Sequence, residues 1–159
     1  MKKKFAEPEA LNGVGAFHSL FEMPILENPQ IPSLDRCKLR LSLLKEELRE
    51  LEEGVENGDI CEIADALCDL QYVLSGAILE FGLGDRFKTL FDEVQRSNMS
   101  KACNNYEEAV ATQQKYLQEK TVSSVIVAKE DKYLVYREED GKVLKSINYS
   151  PAGIKDLLL

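Results

Sequence analysis

Apolar residues recur every three or four positions through the stretch 41–79, LSLLKEELRELEEGVENGDICEIADALCDLQYVLSGAIL. Leu41, Leu44, Leu48, Leu51 and Val55 form one series, and Ile60, Ile63, Leu67, Leu70 and Leu74 form a second. Both are the stripe of an amphipathic helix, and the pattern predicts that each faces a core. Asn57-Gly58 between them predicts a turn that lets the two helices pack antiparallel. The rest of the chain is read around this pair. A short helical pattern over 8–22 carries Val14, Phe17, Leu20 and Phe21, weakened by Gly13 and Gly15. Three prolines in MPILENPQIP predict an extended or looped segment. Ser33 is the expected N-cap of a long helix over 34–55, and Asp59 that of its successor, which should end near Gly82 or Gly84. Further helices are predicted over 85–98 and 104–120.

The pattern changes at Thr121. Val, Ile, Tyr and Thr dominate TVSSVIVAKEDKYLVYREEDGKVLKSINY, and Asp140-Gly141 is a strong turn signal. Strands are predicted over 122–128, 132–137 and 142–146, a ribbon too small to stand without helices or a partner subunit beneath it. The predicted class is all-α: an antiparallel helical bundle over 1–120, with a small β-ribbon and tail over 121–159 belonging to the same domain. No internal repeat or low-complexity segment interrupts it.

Beside the apolar stripes lie two acidic clusters. Glu46, Glu47 and Glu50 share one face of the first helix, and Glu62, Asp65 and Asp69 share one face of the second. Side chains at this spacing have Cβ atoms roughly 5–6 Å apart, and like charges there destabilise a helix unless something neutralises them. Brought together across an antiparallel pair, the clusters would place five or six carboxylates in one cleft. Carboxylate oxygens suit hard cations such as Mg²⁺ or Mn²⁺. A solvated acidic face is the alternative reading. The sole histidine, His18, lies outside both clusters, so the Glu-x-x-His ligands of a di-iron bundle are missing.

Composition narrows the chemistry further. A chain of 159 residues with 44% hydrophobic and 30% charged residues suits one globular domain. Its net charge of −8 argues against nucleic acid or an anionic membrane as partner. A nucleotide remains possible, because bound cations and local Lys or Arg reverse the sign within a site. Cys37, Cys61, Cys68 and Cys103 have no metal-binding spacing and are expected to be reduced, mostly buried thiols. MKKKFAEPEA has no apolar signal core, and no apolar run approaches the roughly 20 residues that span a bilayer. A cytoplasmic protein is expected. Magnesium on a carboxylate face most often meets phosphate, and basic groups should complete such a site: Arg36 and Arg40 before the Glu cluster, and Lys101, which with the polar Asn98 lies in the break SNMSK. For the arginines, a solvated surface paired to nearby acids is the competing reading. Tyr72 and Tyr149 could stack on a base, although packing is the commoner role of such residues.

Glu46-Glu47-x-x-Glu50, followed after eleven residues by Glu62-x-x-Asp65, resembles the EExxE…ExxD signature of the all-α nucleoside triphosphate pyrophosphohydrolases. VGAFHSLFEMPILENPQIP, ADALCDLQYVLSGAILEFGL, FDEVQRSNMSK and DGKVLKSINYSPAGI resemble consecutive blocks of the MazG-like, phosphoribosyl-ATP pyrophosphohydrolase-like branch. The likeness covers most of the chain and is weakest over 104–135. It implies hydrolysis of a nucleoside triphosphate to monophosphate and pyrophosphate with Mg²⁺ or Mn²⁺, as nucleotide house-cleaning. It also implies a homodimer or a dimer of dimers, in keeping with apolar residues off the main stripes at Leu43, Val73 and Leu79. Glu47, Glu50, Glu62 and Asp65 match metal-binding positions, with Asp69 one turn beyond placed to bind metal through water. Glu46 matches the first Glu of the signature, either a further ligand or the base that activates water. Asn98 and Lys101 match a substrate-contacting pair, and Lys142, Lys145, Asn148 and Tyr149 match a carboxy-terminal block that closes over the site. Gln95 stands where the family block has histidine, and it cannot take a titrating role. Hydrolysis of phosphoribosyl-ATP or a nucleotide alarmone, and a non-catalytic nucleotide- or metal-binding regulator, are the rival readings.

Overall fold

The computed structural model describes residues 4–158. Among them are six helices and one two-stranded antiparallel sheet, so the chain is mostly helical with a small β-ribbon. It divides into two compact units, one ending at Phe87 and the other beginning at Lys88. Helix α4 (Gly84–Met99) starts in the first unit, and the helix that precedes the ribbon lies in the second. That helix, α5 (Tyr106–Lys120), packs against both strands of the ribbon.

The first unit contains α1 (Ala10–Leu20), α2 (Leu34–Asn57) and α3 (Ile60–Glu80), with the start of α4 (Gly84–Met99). Local chemistry sets the helix ends. The Ser33 hydroxyl accepts from the Arg36 N–H, and the Asp59 carboxylate accepts from the N–H groups of Cys61 and Glu62. Gly58 closes α2 in the left-handed conformation at φ 66°, donating back to Gly54 and Val55. The α2–α3 pair is antiparallel. Gly54 lies against Ile63 near the turn, and Arg40 lies against Gly76 at the far end. Small residues line this contact: a Cβ on Gly54 would sit 3.1 Å from the Ile63 nitrogen, and one on Gly76 would sit 2.6 Å from Arg40 Nη1. The loop after α1 is tied to the end of α3 by Leu26 N–H to Leu79 O at 3.0 Å and Gln30 N–H to Phe81 O at 3.1 Å. Gly82, at φ 68°, lets that loop approach, because a Cβ there would fall 1.9 Å from the Asn28 carbonyl oxygen.

The apolar stripes are only partly covered within the chain, contrary to expectation: Leu44, Leu51, Ile63 and Leu70 are half-buried. Leu41, Leu48, Val55, Ile60, Leu67 and Leu74 are all exposed, from 41% for Leu74 to 72% for Ile60. What is buried instead is Val14, Ala66, Ala77, Ile78 and Leu79. A single helical hairpin with α1 laid on α3 covers one side of each helix, and the six exposed stripe residues lie outside that cover. The thiols differ from expectation as well. All four are free, but Cys103 alone is buried, while Cys61 and Cys68 on α3 are exposed.

In the second unit β1 (Ser124–Lys129) pairs with β2 (Lys132–Arg137) in the register Ser124↔Arg137 to Lys129↔Lys132. The segment 142–146 is not the expected third strand. It bridges β2 at Tyr136↔Val143, with Arg137 N–H donating to the Lys142 carbonyl at 2.9 Å and Leu144 N–H to the Val135 carbonyl at 2.8 Å, and then leaves the ribbon as Lys145 and Ser146 bond to α5. Cys103, Ala109, Val135 and Leu144 form the core, with Tyr116, Val122, Ile126 and Tyr133 around it. Buried Glu108 on α5 accepts from the Asn104 N–H at 3.1 Å and from the Ser146 hydroxyl. Burial pushes its carboxyl up, but these hydrogen bonds outweigh that and hold it below the ordinary range. A short α6 (Ile154–Leu158) follows, which the pattern had not predicted. Among the described residues no single helix is long and apolar enough to cross a membrane.

Candidate active site

The carboxylate clusters meet across the α2–α3 pair. Glu47, half-buried, is pushed above the ordinary carboxylate range, first by burial and then by the negative charges of Asp69, Glu50, Glu46 and Asp65. Two of those four lie on the same helix and two on the opposite one, so the antiparallel register joins the groups that helical spacing alone could only align. Toward the turn, Glu50, Glu62 and Asp65 line one cleft of about 260 Å³, together with Glu53, Asn57 and Ala66. Glu53 was not among the expected site residues. Its spacing of three from Glu50 was the available signal, and it is ion-paired to Arg49 at 2.5 Å. Cys61 and Cys68 border a shallow groove beside Glu62 and Asp65.

Cationic compensation is sparse here. Arg49 reaches Glu53, and Glu50 at 3.9 Å. Among the described residues, Glu46, Glu47, Glu62, Asp65 and Asp69 have no Lys or Arg partner within ion-pair distance. Nor, among those residues, are three or more acidic, histidine or cysteine groups already drawn together as a metal cage. The donor set nonetheless fits a hard cation: oxygen ligands only, from two rigid helices, with surplus negative charge that raises Glu47.

Arg40 is not placed where a substrate could reach it. It is 4% exposed and its guanidinium donates to the fully buried Glu80 carboxylate and to His18 Nε2, the latter at 3.0 Å. Arg36 donates to the same carboxylate, from Nε at 2.9 Å. An arginine offers only donors, so His18 accepts at Nε2 and carries its hydrogen on Nδ1, which donates to the Pro24 carbonyl at 2.9 Å. His18 is thus a buried structural residue, and this sequestered network is why the Arg40 expectation fails. Tyr72 packs edge-on against Phe17, with ring centroids 5.7 Å apart.

The remaining expected contacts lie together in the second unit. Lys101 Nζ donates to Asn98 Oδ1 at 2.7 Å, and Lys145 Nζ lies 4.3 Å from the centre of the Tyr149 ring. The Tyr149 hydroxyl shares a hydrogen bond of 2.9 Å with Ser97. That bond, with the charges of Lys145 and Lys101, holds the phenol below its ordinary range. Gln95 is exposed on α4.

Residues 14–98 match the family model described as phosphoribosyl-ATP pyrophosphohydrolase, over more than half of the chain. The matched segment contains all six carboxylates and Asn98, and stops before Lys101, Lys145 and Tyr149. The chain is also similar to the uncharacterized protein L479 of Acanthamoeba polyphaga mimivirus, at 26% identity over 227 aligned positions that cover 89% of this chain and 87% of the relative. With the two-helix carboxylate face and the family match in agreement, the chain belongs to the phosphoribosyl-ATP pyrophosphohydrolase family, within the all-α nucleoside triphosphate pyrophosphohydrolases.

Proposed function

We propose that the protein is a Mg²⁺- or Mn²⁺-dependent nucleotide pyrophosphohydrolase that converts a (d)NTP and water to the monophosphate and pyrophosphate, clearing surplus or non-standard nucleotides in the cytoplasm. The observation that carries this reading is the carboxylate face shared by α2 and α3, where Glu50, Glu62 and Asp65 line one cleft and Glu47 is raised first by burial and then by the carboxylates of both helices. Glu47, Glu50, Glu62 and Asp65 would hold the cation, with Asp69 one turn further along α3. When bound, a divalent ion neutralises phosphate charge and acidifies a coordinated water. Glu46 and Glu47 orient the attacking water and take its proton, a role that suits Glu47, whose carboxyl is raised above the ordinary range. Asn98, Lys101, Lys145 and Tyr149 bind phosphate or sugar, and the ammonium groups stabilise negative charge that develops on the phosphate chain.

The exposed leucine stripe of α2 and α3 supports a homodimer, since apolar side chains in a row on one helix pair suit a second copy of the same surface. The family description favours a second substrate reading, phosphoribosyl-ATP. Pyrophosphate release from a panel of NTPs, dNTPs and phosphoribosyl-ATP, with Mg²⁺, Mn²⁺ or EDTA, tests these together. Metal-dependent release ranks the substrates, whereas no release from any of them by folded protein points to the regulator.

A further inference from the structure

A cleft of about 230 Å³ opens in the second unit between the last turns of α5 and the segment around Lys145. Lys115, Lys120 and Lys145 line it against one acid, Glu119, with Tyr116 and Tyr149 on its walls. In a chain of net charge −8 this is a local excess of positive charge. Lys120 lies 5.2 Å from the Tyr116 ring centre and Lys145 lies 4.3 Å from that of Tyr149, so two ammonium groups rest on aromatic faces. Among the described residues none of the three lysines is in an ion pair. A helix C-terminus accounts for Lys120. It does not account for Lys145, which comes from another segment.

The cleft is built rigidly. The Lys145 N–H donates to the Tyr116 hydroxyl at 3.2 Å, and the Ile147 N–H donates to Thr112 Oγ1 at 3.0 Å. The Ser146 hydroxyl, itself buried, donates to Glu108 and accepts from the Asn148 N–H at 2.9 Å. Sites for drug-sized ligands run from about 300 to 1,000 Å³. This one is smaller, sized for a phosphate chain.

We infer that this cleft is a polyphosphate-binding site in which Lys115 and Lys120 of α5 join Lys145. Its ligand is inorganic pyrophosphate or the polyphosphate end of a nucleotide. The ligand class rests on the proposed phosphate-chain chemistry; the binding measurement does not depend on hydrolysis. The test is calorimetric titration of the full chain with pyrophosphate in EDTA and low salt. Saturable binding is expected, weakened roughly tenfold or more in K115A/K120A through loss of two charged contacts and retained in E47Q. Circular dichroism checks the fold of each variant, and the single variants K115Q and K120Q replace the double one if it unfolds. Absence of saturable binding, or equal binding in the lysine variants, overturns the site. A higher KM with unchanged kcat in K115A/K120A identifies the nucleotide's own phosphate chain as the ligand, and unchanged kinetics with lost pyrophosphate binding identifies the free anion. Failure of hydrolysis with intact, lysine-dependent binding overturns the enzymatic reading alone.

Discussion

Arg40 and Glu80 form an ion pair inside the first unit, with Arg40 Nε donating to Glu80 Oε1 at 2.8 Å, at 4% and 0% residue exposure. Removing Glu80 leaves Arg40 charged and buried, and removing Arg40 leaves Glu80 only the more exposed Arg36, losses of about 3–5 kcal/mol. Urea denaturation of R40A and E80Q should show losses of that size, whereas R40M/E80L, which removes both charges, should recover much of the stability. Wild-type stability in R40A would refute the structural role of the pair.

Gly76 makes room for the Arg40 guanidinium. A Cβ at this position would lie 2.6 Å from Nη1 and 3.1 Å from His18 Nε2. G76A should therefore destabilise by about 1–3 kcal/mol despite the better helix propensity of alanine. The thermal midpoint is the readout, and a midpoint above wild type would contradict the packing.

Glu47 and Glu62 carry the proposed chemistry from opposite helices. E47Q should lower kcat by about 10²–10⁴ if it orients or deprotonates water, and E62Q should raise the Mg²⁺ concentration needed for half-maximal rate. Both keep side-chain volume, so the fold should survive. Unchanged hydrolysis in both would remove the site assignment.

Acid should weaken the fold through its depressed carboxyls, Glu80 and Glu93 among them. Burial raises Glu80, but Arg36 and Arg40 hold it below the ordinary range, and Glu93 is lowered from 4.5 to about 2 by Arg96 and the Gly153 N–H. A depressed folded-state pKa stabilises above the unfolded value and loses that contribution as pH falls. Stability should thus be fully present above about pH 5 and decline toward pH 2. E93Q should flatten part of that decline in chemical denaturation at stepped pH.

Leu41, Leu48 and Leu67 are large, apolar and exposed on the α2–α3 pair. L48E and L67E should shift the protein from dimer toward monomer in sedimentation, with little change in the helicity of the monomer. A wild type that sediments as a monomer would reject the homodimer.

Features set within one helical turn were legible in the sequence. Ser33 and Asp59 cap the helices that they were expected to cap, and the strand over 132–137 has its predicted bounds, because caps and alternation are local signals. The grouping of Glu46, Glu47 and Glu50, and of Glu62, Asp65 and Asp69, is equally local, since 3.6 residues per turn puts each trio on one face. Tertiary structure decided what those faces meet. The antiparallel register sets Asp65 and Asp69 close enough to raise Glu47. It also buries Arg40 against Glu80, forty residues away in the chain, and so removes a side chain that periodicity could only describe as basic and on a helix. The same holds for the leucine stripes, whose period is independent of whether the covering surface lies within the chain, and for 142–146, where pairing with β2 stops at Leu144 because Lys145 and Ser146 bond to α5.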